Sequence, residues 1–464
     1  MVVKSHTIAE EIVREYDIRG RFGENLSEDD AYVLALKLMQ SRSHLGLQGK
    51  VCVARDGRLS SPTLHRSLVA GFQALGAEVL DLGIVPTPLL YFAAHSLPQI
   101  DIAVMITGSH NPMEYNGFKI IFNHNMLFGE ELKNLAHIDI NDDAIVFLRG
   151  AAYGSITKCD LMPQYTSIIS KLLLTSQFQV IWDPGNGAGS TVLQRLIHYL
   201  PGKHKIINGA IDGCFPSRPP DPSKGENLSQ LINVMQELDY DFGIAFDGDA
   251  DRIGVVDKNG RFISGGHLLY IFATDLVKRH KRPVVLTDMR MSSLILNALR
   301  DLGCEVVQYK TGHALIKAKM KEEGILLAAE MSGHIFFGED YYGFDDAIFG
   351  ACKFLNIVAT SPVVVAQALN ITKSAIPVGS RYIEADAIKK ASFIAKAKQF
   401  FIDHGYDMDE TDGIRINQAH GWMLIRASNT EDFVMLLGEA YDRKAYLQIN
   451  KIFDDLIFLN NLVE

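Results

Sequence analysis

The feature that most constrains this chain is a repeated alternation of short apolar runs with segments of helical periodicity. Residues 51–54 form an apolar run of strand length, and Leu64, Leu68 and Phe72 then recur at helical spacing before the next run. The same order returns after residue 178 and again after residue 283. Strands that alternate with helices predict mostly parallel sheets covered by helices, so the fold class is α/β.

The last part of the chain follows a different pattern. Three short strand-like runs joined by turns, residues 413–417, 421–425 and 433–438, precede one helical segment at 441–458. Meandering strands beside helices are typical of a small α+β domain. We therefore predict three similar α/β domains and a smaller C-terminal α+β domain. The predicted limits are 1–152, 153–257, 258–370 and 371–464.

Composition argues against several classes of protein. The formal net charge of −10 disfavours nucleic-acid binding, which relies on clustered Lys and Arg. No apolar stretch reaches the ~18 residues that span a bilayer, and residues 1–15 lack a signal-peptide run. Five widely spaced cysteines without a C-x-x-C pair fit reduced thiols better than disulfides or a zinc site. We expect a cytoplasmic protein that binds neither nucleic acid nor membrane.

Residues 247–252 read Asp-Gly-Asp-Ala-Asp-Arg between two apolar runs. In an extended loop the side chains of Asp247, Asp249 and Asp251 point the same way, where they repel unless a cation lies among them. Carboxylate oxygens suit Mg²⁺ or Ca²⁺. The Gly and Glu positions of an EF-hand do not match, and a solvated acidic turn is the alternative. We predict a divalent metal site.

A second motif, Thr-Gly-Ser-His-Asn-Pro at 107–112, directly follows an apolar strand. The carboxyl ends of strands in α/β sheets are where ligands bind. Gly108 frees the backbone and presents Ser109, which needs a base or a metal to act as nucleophile or phosphate carrier. From this motif alone a polar turn is an equal alternative. His110 is a ligand, a base or a hydrogen-bonded turn residue.

Two later motifs also follow apolar runs. Glu330 and Ser332 alternate and suit sugar hydroxyls, with Lys310 to His313 on a preceding loop. Arg426, followed by Ser-Asn-Thr, is typical of a phosphate cradle built from an arginine, hydroxyls and turn N–H groups. A hydrogen-bonded turn is the alternative for each. The Gly-rich stretch 183–190 lacks P-loop and dinucleotide-binding spacing and is interpreted as structural.

Together these motifs resemble the α-D-phosphohexomutase superfamily, most closely its bacterial phosphomannomutase/phosphoglucomutase members. The resemblance runs over essentially the whole chain. It includes Tyr-Asp-Ile-Arg-Gly at 16–20, Asn-Gly-Phe-Lys-Ile at 116–120 and Pro-Asp-Pro-Ser-Lys at 220–224. It implies that the four domains surround a central cleft.

The resemblance also implies roles for individual residues. Ser109 carries a phosphoryl group, and its phosphoserine oxygen holds Mg²⁺ together with the three aspartates. Lys119 and His334 are candidates for proton transfer, and Arg19 and Arg252 orient groups beside them. The substrate-binding roles fall on Tyr16, Arg290, His313, Glu330, Ser332, Arg426, Ser428, Asn429 and Thr430.

The implied activity is that of an isomerase, an intramolecular phosphotransferase. It interconverts hexose 1-phosphate and hexose 6-phosphate, of mannose or glucose or both, with hexose 1,6-bisphosphate as intermediate and activator. The expected partners are small sugar phosphates, and the oligomeric state is left open between monomer and weak dimer. The chain departs from the family pattern at Ala250, where Gly is usual, at Arg290, where close relatives have Lys, and at Leu437, where some have an Arg.

Three alternatives remain open at the level of sequence. Phosphoglucosamine mutase is the nearest, although Met331 and Asn429 favour the mannose and glucose enzyme. A phosphatase that works through phosphoserine also fits a serine with metal-binding aspartates, but the cradle at Arg426 argues against it. A non-catalytic sugar-phosphate binder predicts that Ser109 is dispensable.

Overall fold

The computed structural model describes residues 6–140, 153–173, 177–428 and 432–461. They pack as two compact units. The first unit lies within Met1–Gly265 and Ser332–Thr360, and the second within Gly266–Met331 and Ser361–Glu464.

The strands are β1 Ile18–Arg21, β2 Lys50–Arg55, β3 Val79–Ile84, β4 Ile100–Ile106, β5 Tyr115–Phe122, β6 Asn125–Met126, β7 Ile156–Lys158, β8 Gln179–Asp183, β9 Lys203–Ile206, β10 Phe242–Phe246, β11 Ile253–Asp257, β12 Phe262–Ile263, β13 Val284–Asp288, β14 Glu305–Tyr309, β15 Leu327–Ala329, β16 Ile335–Phe337, β17 Ile376–Glu384, β18 Ile414–Gln418, β19 Gly421–Ala427 and β20 Phe433–Ala440. The α-helices are α1 Glu28–His44, α2 Ser61–Ala74, α3 Thr87–Ser96, α4 Gly129–His137, α5 Met162–Ser170, α6 Gly189–Leu196, α7 Ser229–Leu238, α8 Gly265–Arg279, α9 Ser293–Asp301, α10 His313–Glu323, α11 Ala347–Thr360, α12 Val364–Ile371, α13 Ala387–Asp403 and α14 Arg443–Asn461. Short 3-10 turns occupy Glu10–Ile12, Lys171–Leu173 and Gly225–Leu228.

The first sheet of the first unit has the strand order β1-β5-β4-β2-β3-β7, with β6 beside β5. Strands β4, β2, β3 and β7 run parallel, and β5 runs antiparallel to β1 and β4. Arg55 pairs with Ile106 where β2 and β4 end. The loops that follow these strands therefore leave the sheet side by side.

The second sheet of the first unit has the order β12-β11-β10-β8-β9. Strands β8, β9 and β10 are parallel, whereas β10 and β11 form an antiparallel hairpin closed by the Phe246–Ile253 pair. The acidic motif at 247–252 is the loop of this hairpin. Because all five residues of β10 and all five of β11 are buried, the loop is held from both sides.

In the second unit, β13 lies between β14 and β15, and all three strands are parallel. A separate antiparallel sheet follows in the order β17-β20-β19-β18. Its buried face packs apolar residues of the strands against α13 and α14, including Ile425, Leu436, Phe401 and Phe453. The predicted fold class, α/β with a smaller C-terminal α+β part, is confirmed. The domain limits stay a prediction.

Packing of α1 on α2 shows how closely the elements fit. A Cβ atom added at Gly71 would lie 2.7 Å from the Cβ of Ala35 and 2.8 Å from the carbonyl oxygen of Tyr32. Helix α1 begins after a capping box in which Ser27 and Asp30 bond reciprocally. Glycine at the crossing lets the two backbones approach, and both helices contribute to the hydrophobic core that includes strands of the first sheet.

Among the described residues no single helix is long and apolar enough to cross a bilayer. One bent pair of consecutive helices, Ala347–Thr360 with Val364–Ile371, meets the length and composition criteria only when the two are joined.

The loop before α11 is anchored by a buried carboxylate, Asp346. The hydroxyls of Tyr165 and Tyr341 donate to it at 2.8 and 3.0 Å, and the backbone N–H of Phe349 donates at 2.8 Å. Burial raises the pKa of Asp346 to about 6, although these hydrogen bonds favour the charged form. Asp346 therefore keeps its proton to a higher pH in the folded protein than in the unfolded chain.

The raised pKa of Asp346 makes the stability of the protein depend on pH. The unfolded pKa is about 3.9, so the stability associated with Asp346 is greatest below about pH 4 and falls as pH rises to about 6, by about 3 kcal/mol at most. Asp346→Asn removes this titration. We expect the melting temperature of the wild type to fall, relative to that of the variant, as pH rises from about 4 to about 6.5. Asp239→Asn, which removes an exposed carboxylate of the first unit, is the control. A difference between wild type and Asp346→Asn that does not vary with pH contradicts the assignment.

Candidate active site

The acidic loop between β10 and β11 gathers three carboxylates with no solvent exposure. Asp247, Asp249 and Asp251 each offer one ligand oxygen, and these atoms lie within 4.8 Å of one another. Oδ1 of Asp247 accepts hydrogen bonds from the backbone N–H groups of Asp251 and Arg252 at 3.0 and 3.1 Å. The loop backbone thus folds around the first carboxylate and turns the other two toward the same place.

Lys119 on β5 supplies the positive charge that this loop meets within the protein. Its Nζ donates to Oδ2 of Asp249 at 2.6 Å and also to Oδ2 of Asp251. Thr87 at the start of α3 donates its hydroxyl to Oδ2 of Asp249 as well. The Oδ1 atoms of Asp249 and Asp251 are buried and have no hydrogen-bond partner among the described residues. Two orphaned carboxylate oxygens beside Asp247 fit a hard divalent cation.

The pKa shifts reflect this imbalance of charge. Burial, together with the charges of Asp251 and Asp249, raises the pKa of Asp247 well above its ordinary value. Burial also acts to raise the pKa of Asp249, but the charge and hydrogen bond of Lys119 outweigh it and lower the pKa. Burial acts to lower the pKa of Lys119, and the two aspartates outweigh it and raise the pKa. Lys119 is therefore a fixed cation at neutral pH.

Ser109 lies next to this loop with its side chain buried. Its Oγ donates to Oδ2 of Asp247 at 2.9 Å, and Nδ1 of His110 is 3.4 Å away. The backbone of Ser109 has φ of 48°, in the left-handed region that favours glycine. The N–H of Ser109 is held at 2.8 Å by the hydroxyl of Thr107, which donates in turn to Asp56 at 2.8 Å. Strain of this kind persists only where neighbouring groups impose it.

The segment that carries Ser109, residues 107–115 and called the serine loop below, contacts the acidic loop through backbone atoms. A Cβ at Gly248 would lie 2.6 Å from the carbonyl oxygen of Ser109 and 3.4 Å from the ring of Phe215. On the other side, the N–H of Ala188 donates to the carbonyl oxygen of Gly248 at 2.9 Å. Glycine at 248 therefore sets the distance between the hydroxyl and the carboxylates.

Arg19 on β1 joins the serine loop from the neighbouring strand. Its Nη1 donates to the carbonyl oxygen of Gly108 at 3.1 Å and to Oδ1 of Asn111 at 2.6 Å, while Nη2 pairs with Asp17. Burial, followed by the charges of Arg252 and Arg19, lowers the pKa of His110 well below its ordinary value. His110 is therefore neutral at physiological pH.

His334 is brought to the acidic loop by an isolated bridge with Arg252. Nε of Arg252 donates to Nε2 of His334 at 3.0 Å, so Nε2 is the accepting nitrogen. Nδ1 of His334 lies 3.0 Å from Oδ2 of Asp345 and 3.6 Å from Oδ1 of Asp251. The imidazole therefore carries its proton on Nδ1, toward Asp345.

In the second unit, Asp288 at the end of β13 organises the loop that carries Arg290. Oδ1 accepts the backbone N–H of Arg290 at 2.7 Å, and Oδ2 accepts Nη2 of Arg290 at 2.7 Å and the N–H of Met331 at 3.0 Å. Oε1 of Glu330 accepts the N–H of Gly312 at 2.7 Å, beside His313 at the start of α10. The Arg290, His313 and Glu330 loops are therefore interlinked.

Asp412 links the loop that carries Arg426 to the loop that precedes His313. Its Oδ2 accepts Nε of Arg426 at 2.6 Å and the backbone N–H of Thr311 at 2.9 Å. Ser428 lies at the end of the described part of the Arg426 loop and is buried. The predicted Asn429 and Thr430 lie outside the described residues.

The structure therefore groups most of the predicted residues by unit. Within the first unit it brings together Ser109, Lys119, Arg19, Arg252, His334 and the three aspartates. Tyr16 and Ser332 are also in the first unit and are buried. Arg290, His313, Glu330 and Arg426 are in the second unit.

Comparison with known proteins adds independent information. Four family models described as phosphoglucomutase/phosphomannomutase match nearly the whole chain: alpha/beta/alpha domains I, II and III at residues 10–141, 163–260 and 264–375, and the C-terminal domain at 379–456. The chain belongs to the phosphoglucomutase/phosphomannomutase family. The predicted class of enzyme, an isomerase that transfers phosphoryl groups within hexose phosphates, is confirmed.

Individual relatives of this family agree. A phosphomannomutase/phosphoglucomutase of Pseudomonas putida is 38% identical over 95% of this chain and 94% of its own length. A phosphoglucomutase of Neisseria meningitidis is 36% identical over 98% of this chain and 99% of its own length. A crystal structure of a phosphoglucomutase/phosphomannomutase family protein from Burkholderia thailandensis has a TM-score of 0.87 at 33% identity, with 98% of each chain covered.

Several polar groups of this family member were missed at the level of sequence. Asp56 and Arg58 hold the serine loop, Asp345 meets His334, and Asp412 meets Arg426. The position of Asp56 could have indicated its role, because Asp56 directly follows strand β2 just as Asp247 directly follows strand β10. Asp345 and Asp412 belong to no motif and are recognised through contacts distant in sequence.

Gly248→Ala tests the backbone contact between the two loops. The added methyl group has no room against the Ser109 carbonyl, so we expect the loops to separate and stability to fall by about 1–3 kcal/mol. A shift of about 1 Å also predicts a fall of about 10²-fold in mutase turnover. Gly350→Ala adds the same group where the nearest atoms are 3.8 Å away and is the control. Equal turnover in the two variants contradicts the contact's role.

Proposed function

We propose that this enzyme interconverts the 1-phosphates and 6-phosphates of mannose or glucose, or both, through a phosphorylated Ser109 and a hexose 1,6-bisphosphate intermediate. The observation that carries the proposal is the contact of 2.9 Å between Oγ of Ser109 and Oδ2 of Asp247, inside a loop of three buried aspartates. A hydroxyl beside clustered carboxylates suits a group that accepts phosphate next to a cation.

In the first half of the proposed reaction, a hydroxyl oxygen of the hexose phosphate attacks the phosphorus of phosphoserine 109. The bond between phosphorus and Oγ breaks, a new ester forms on the sugar, and the sugar hydroxyl proton is passed on so that Oγ ends protonated. The second half runs in reverse with the other phosphate of the bisphosphate. Phosphoryl transfer depends mainly on positioning and charge neutralisation, because its transition state is loose.

Two groups of the first unit suit the proton and charge roles. Nε2 of His334 is the unprotonated nitrogen and accepts the Nε–H of Arg252, while Asp345 lies 3.0 Å from Nδ1. We propose His334 as the base that takes the hydroxyl proton, which requires Arg252 to release Nε2. Lys119 donates to both Asp249 and Asp251, so we assign it the role of a cation beside the transferred phosphate.

Asp247, Asp249 and Asp251 are proposed to hold Mg²⁺ together with an oxygen of phosphoserine 109. The orphaned oxygens of Asp249 and Asp251 fit that role. When bound, the ion supplies positive charge to the transferring phosphate. The carboxylates themselves keep the serine hydroxyl oriented, since Asp247 accepts its hydrogen bond.

The other predicted residues are assigned to the rest of the substrate. Glu330 and Ser332 are proposed to bind sugar hydroxyls, and Tyr16 and His313 are proposed to orient the substrate. Arg290, Arg426 and Ser428, with Asn429 and Thr430, are proposed to bind the phosphate that is not being transferred. Nε of Arg290 is buried without a hydrogen-bond partner among the described residues, which supports a ligand at this arginine.

Ser109→Ala tests the central step. We expect turnover to fall at least about 10³-fold, because the group that carries phosphate is lost. Calorimetry should still detect binding of hexose phosphate. Intact-mass measurement after adding hexose 1,6-bisphosphate should show one phosphoryl group on the wild type and none on the variant. Ser190→Ala, which removes another buried hydroxyl of the first unit, is the control.

Other outcomes distinguish the alternatives. Steady release of inorganic phosphate without an isomeric product indicates a phosphatase. Unchanged behaviour of Ser109→Ala indicates a sugar-phosphate binder. Exclusive turnover of glucosamine phosphates indicates phosphoglucosamine mutase.

The metal assignment has a separate test that does not depend on activity. Mg²⁺ at about 100 times its dissociation constant is expected to stabilise the wild type by about 2.7 kcal/mol. Asp251→Asn should lose most of this stabilisation, because one of the two orphaned oxygens is replaced. Asp239→Asn removes the same charge from the surface of the first unit and is the control. An Mg²⁺ response in Asp251→Asn as large as that of the control would rule out the site.

A further inference from the structure

The three α/β sheets share a device at the end of one central strand. Asp56 follows β2, Asp183 ends β8, and Asp288 ends β13. In each case Oδ1 accepts the backbone N–H two residues later, at 3.0, 2.9 and 2.7 Å respectively. In each case Oδ2 also binds an arginine, namely Arg58, Arg218 or Arg290.

The arginines use their remaining nitrogens differently. Arg218 donates from Nη2 to the carbonyl oxygen of Phe246 at 2.8 Å, immediately before the acidic loop. Arg290 instead keeps a buried Nε without a hydrogen-bond partner among the described residues. Arg218 therefore binds the protein's own backbone, whereas Arg290 keeps one donor unused.

Arg58 is the most completely used of the three. Its Nε donates to Asp56 at 3.1 Å, and the other four N–H groups meet the serine loop. Nη2 donates to the carbonyl oxygens of Ser109 and Asn111, both at 2.7 Å, and Nη1 to those of Pro112 and Tyr115, at 2.6 and 3.0 Å. The residue is 1% exposed, and its guanidinium lies 4.9 Å from the ring centre of Phe215.

We propose that Arg58 is a positioning residue for phosphoryl transfer, which holds the backbone of Ser109 in its strained conformation by binding four carbonyl oxygens of the serine loop. Arg58 has no donor left for a substrate, since a guanidinium has five N–H groups and five acceptors are present. One of those acceptors, the carbonyl oxygen of Ser109, is also the atom against which Gly248 packs. Arg58 thereby fixes where Oγ lies relative to Asp247.

Lysine is not an equivalent at this position. An ammonium group has three donors on a single nitrogen and cannot span four carbonyl oxygens in the plane that a guanidinium covers. Arg58→Lys keeps the charge but releases part of the loop. It therefore separates the positioning role from simple charge compensation of Asp56.

The kinetic test rests on the proposed role of Ser109 as phosphate carrier. In Arg58→Lys we expect kcat, and the rate at which Ser109 is phosphorylated by hexose 1,6-bisphosphate, to fall about 10²-fold. KM should stay close to that of the wild type, because Arg58 does not reach the substrate. A raised KM with unchanged kcat, or a loss of activity that only matches the unfolded fraction, overturns the proposal.

A structural test stands apart from that role. Hydrogen exchange of the peptide covering residues 107–115 should be faster in Arg58→Lys than in the wild type. Arg218→Lys, which weakens the same device in the second sheet, should leave exchange of this peptide unchanged. If exchange at 107–115 is equal in Arg58→Lys and wild type, Arg58 does not position the loop.

The two tests also separate this proposal from the proposed function. A wild type that is never phosphorylated at Ser109 refutes the phosphate carrier but leaves the exchange result standing. Asp56→Asn keeps the size of the side chain and removes the charge that orients Arg58. We expect it to fold and to show faster exchange at residues 111–115, which hold three acceptors of Arg58 and lie beyond the bond between Asp56 and Thr107, so the proposal is still decided if Arg58→Lys does not fold. No change in exchange at 111–115 in Asp56→Asn then counts against it.

Discussion

Three carboxylates without solvent exposure determine which groups lie around them in the first unit. A buried charge is costly unless it is paired and hydrogen-bonded. Lys119, the hydroxyl of Thr87 and two backbone N–H groups of the loop meet part of that requirement, and two oxygens remain. The serine hydroxyl is the group that completes Asp247. The orientation of the hydroxyl, the protonation of Lys119 and the fit for a cation are therefore consequences of one electrostatic demand.

Much of the fold was predictable because its strands are short, apolar and buried. The predicted strands at 51–54, 421–425 and 433–438 lie within β2, β19 and β20 of the structure. The acidic loop was also predictable, since aspartates at alternate positions between two apolar runs repel one another unless a cation lies among them. The grouping of residues 332–360 with the first unit was not, because α11 is apolar on nearly every side and its periodicity does not reveal what it packs against.

The contacts that position the site were harder to predict than its motifs. Residues 55–58 read Arg-Asp-Gly-Arg, which in a sequence is typical of a solvated turn. The acceptors of Arg58 are backbone carbonyl oxygens, and a carbonyl group leaves no trace in a sequence. Ala250 shows the same limit: its φ of 57° is left-handed, where the usual Gly of relatives would carry no strain. The loop keeps its shape although a side chain there costs about 1–2 kcal/mol.

The pairing of Asp412 with Arg426 bears on the proposed role of Arg426 in phosphate binding. An arginine that already has a carboxylate partner meets an incoming phosphate with part of its charge committed. Since the same oxygen of Asp412 also holds the N–H of Thr311, a phosphate that draws Arg426 away alters the neighbouring loop at the same time. In the proposed mechanism the bisphosphate intermediate leaves this loop and rebinds in the reverse orientation, which is faster when the loop binds phosphate with moderate affinity.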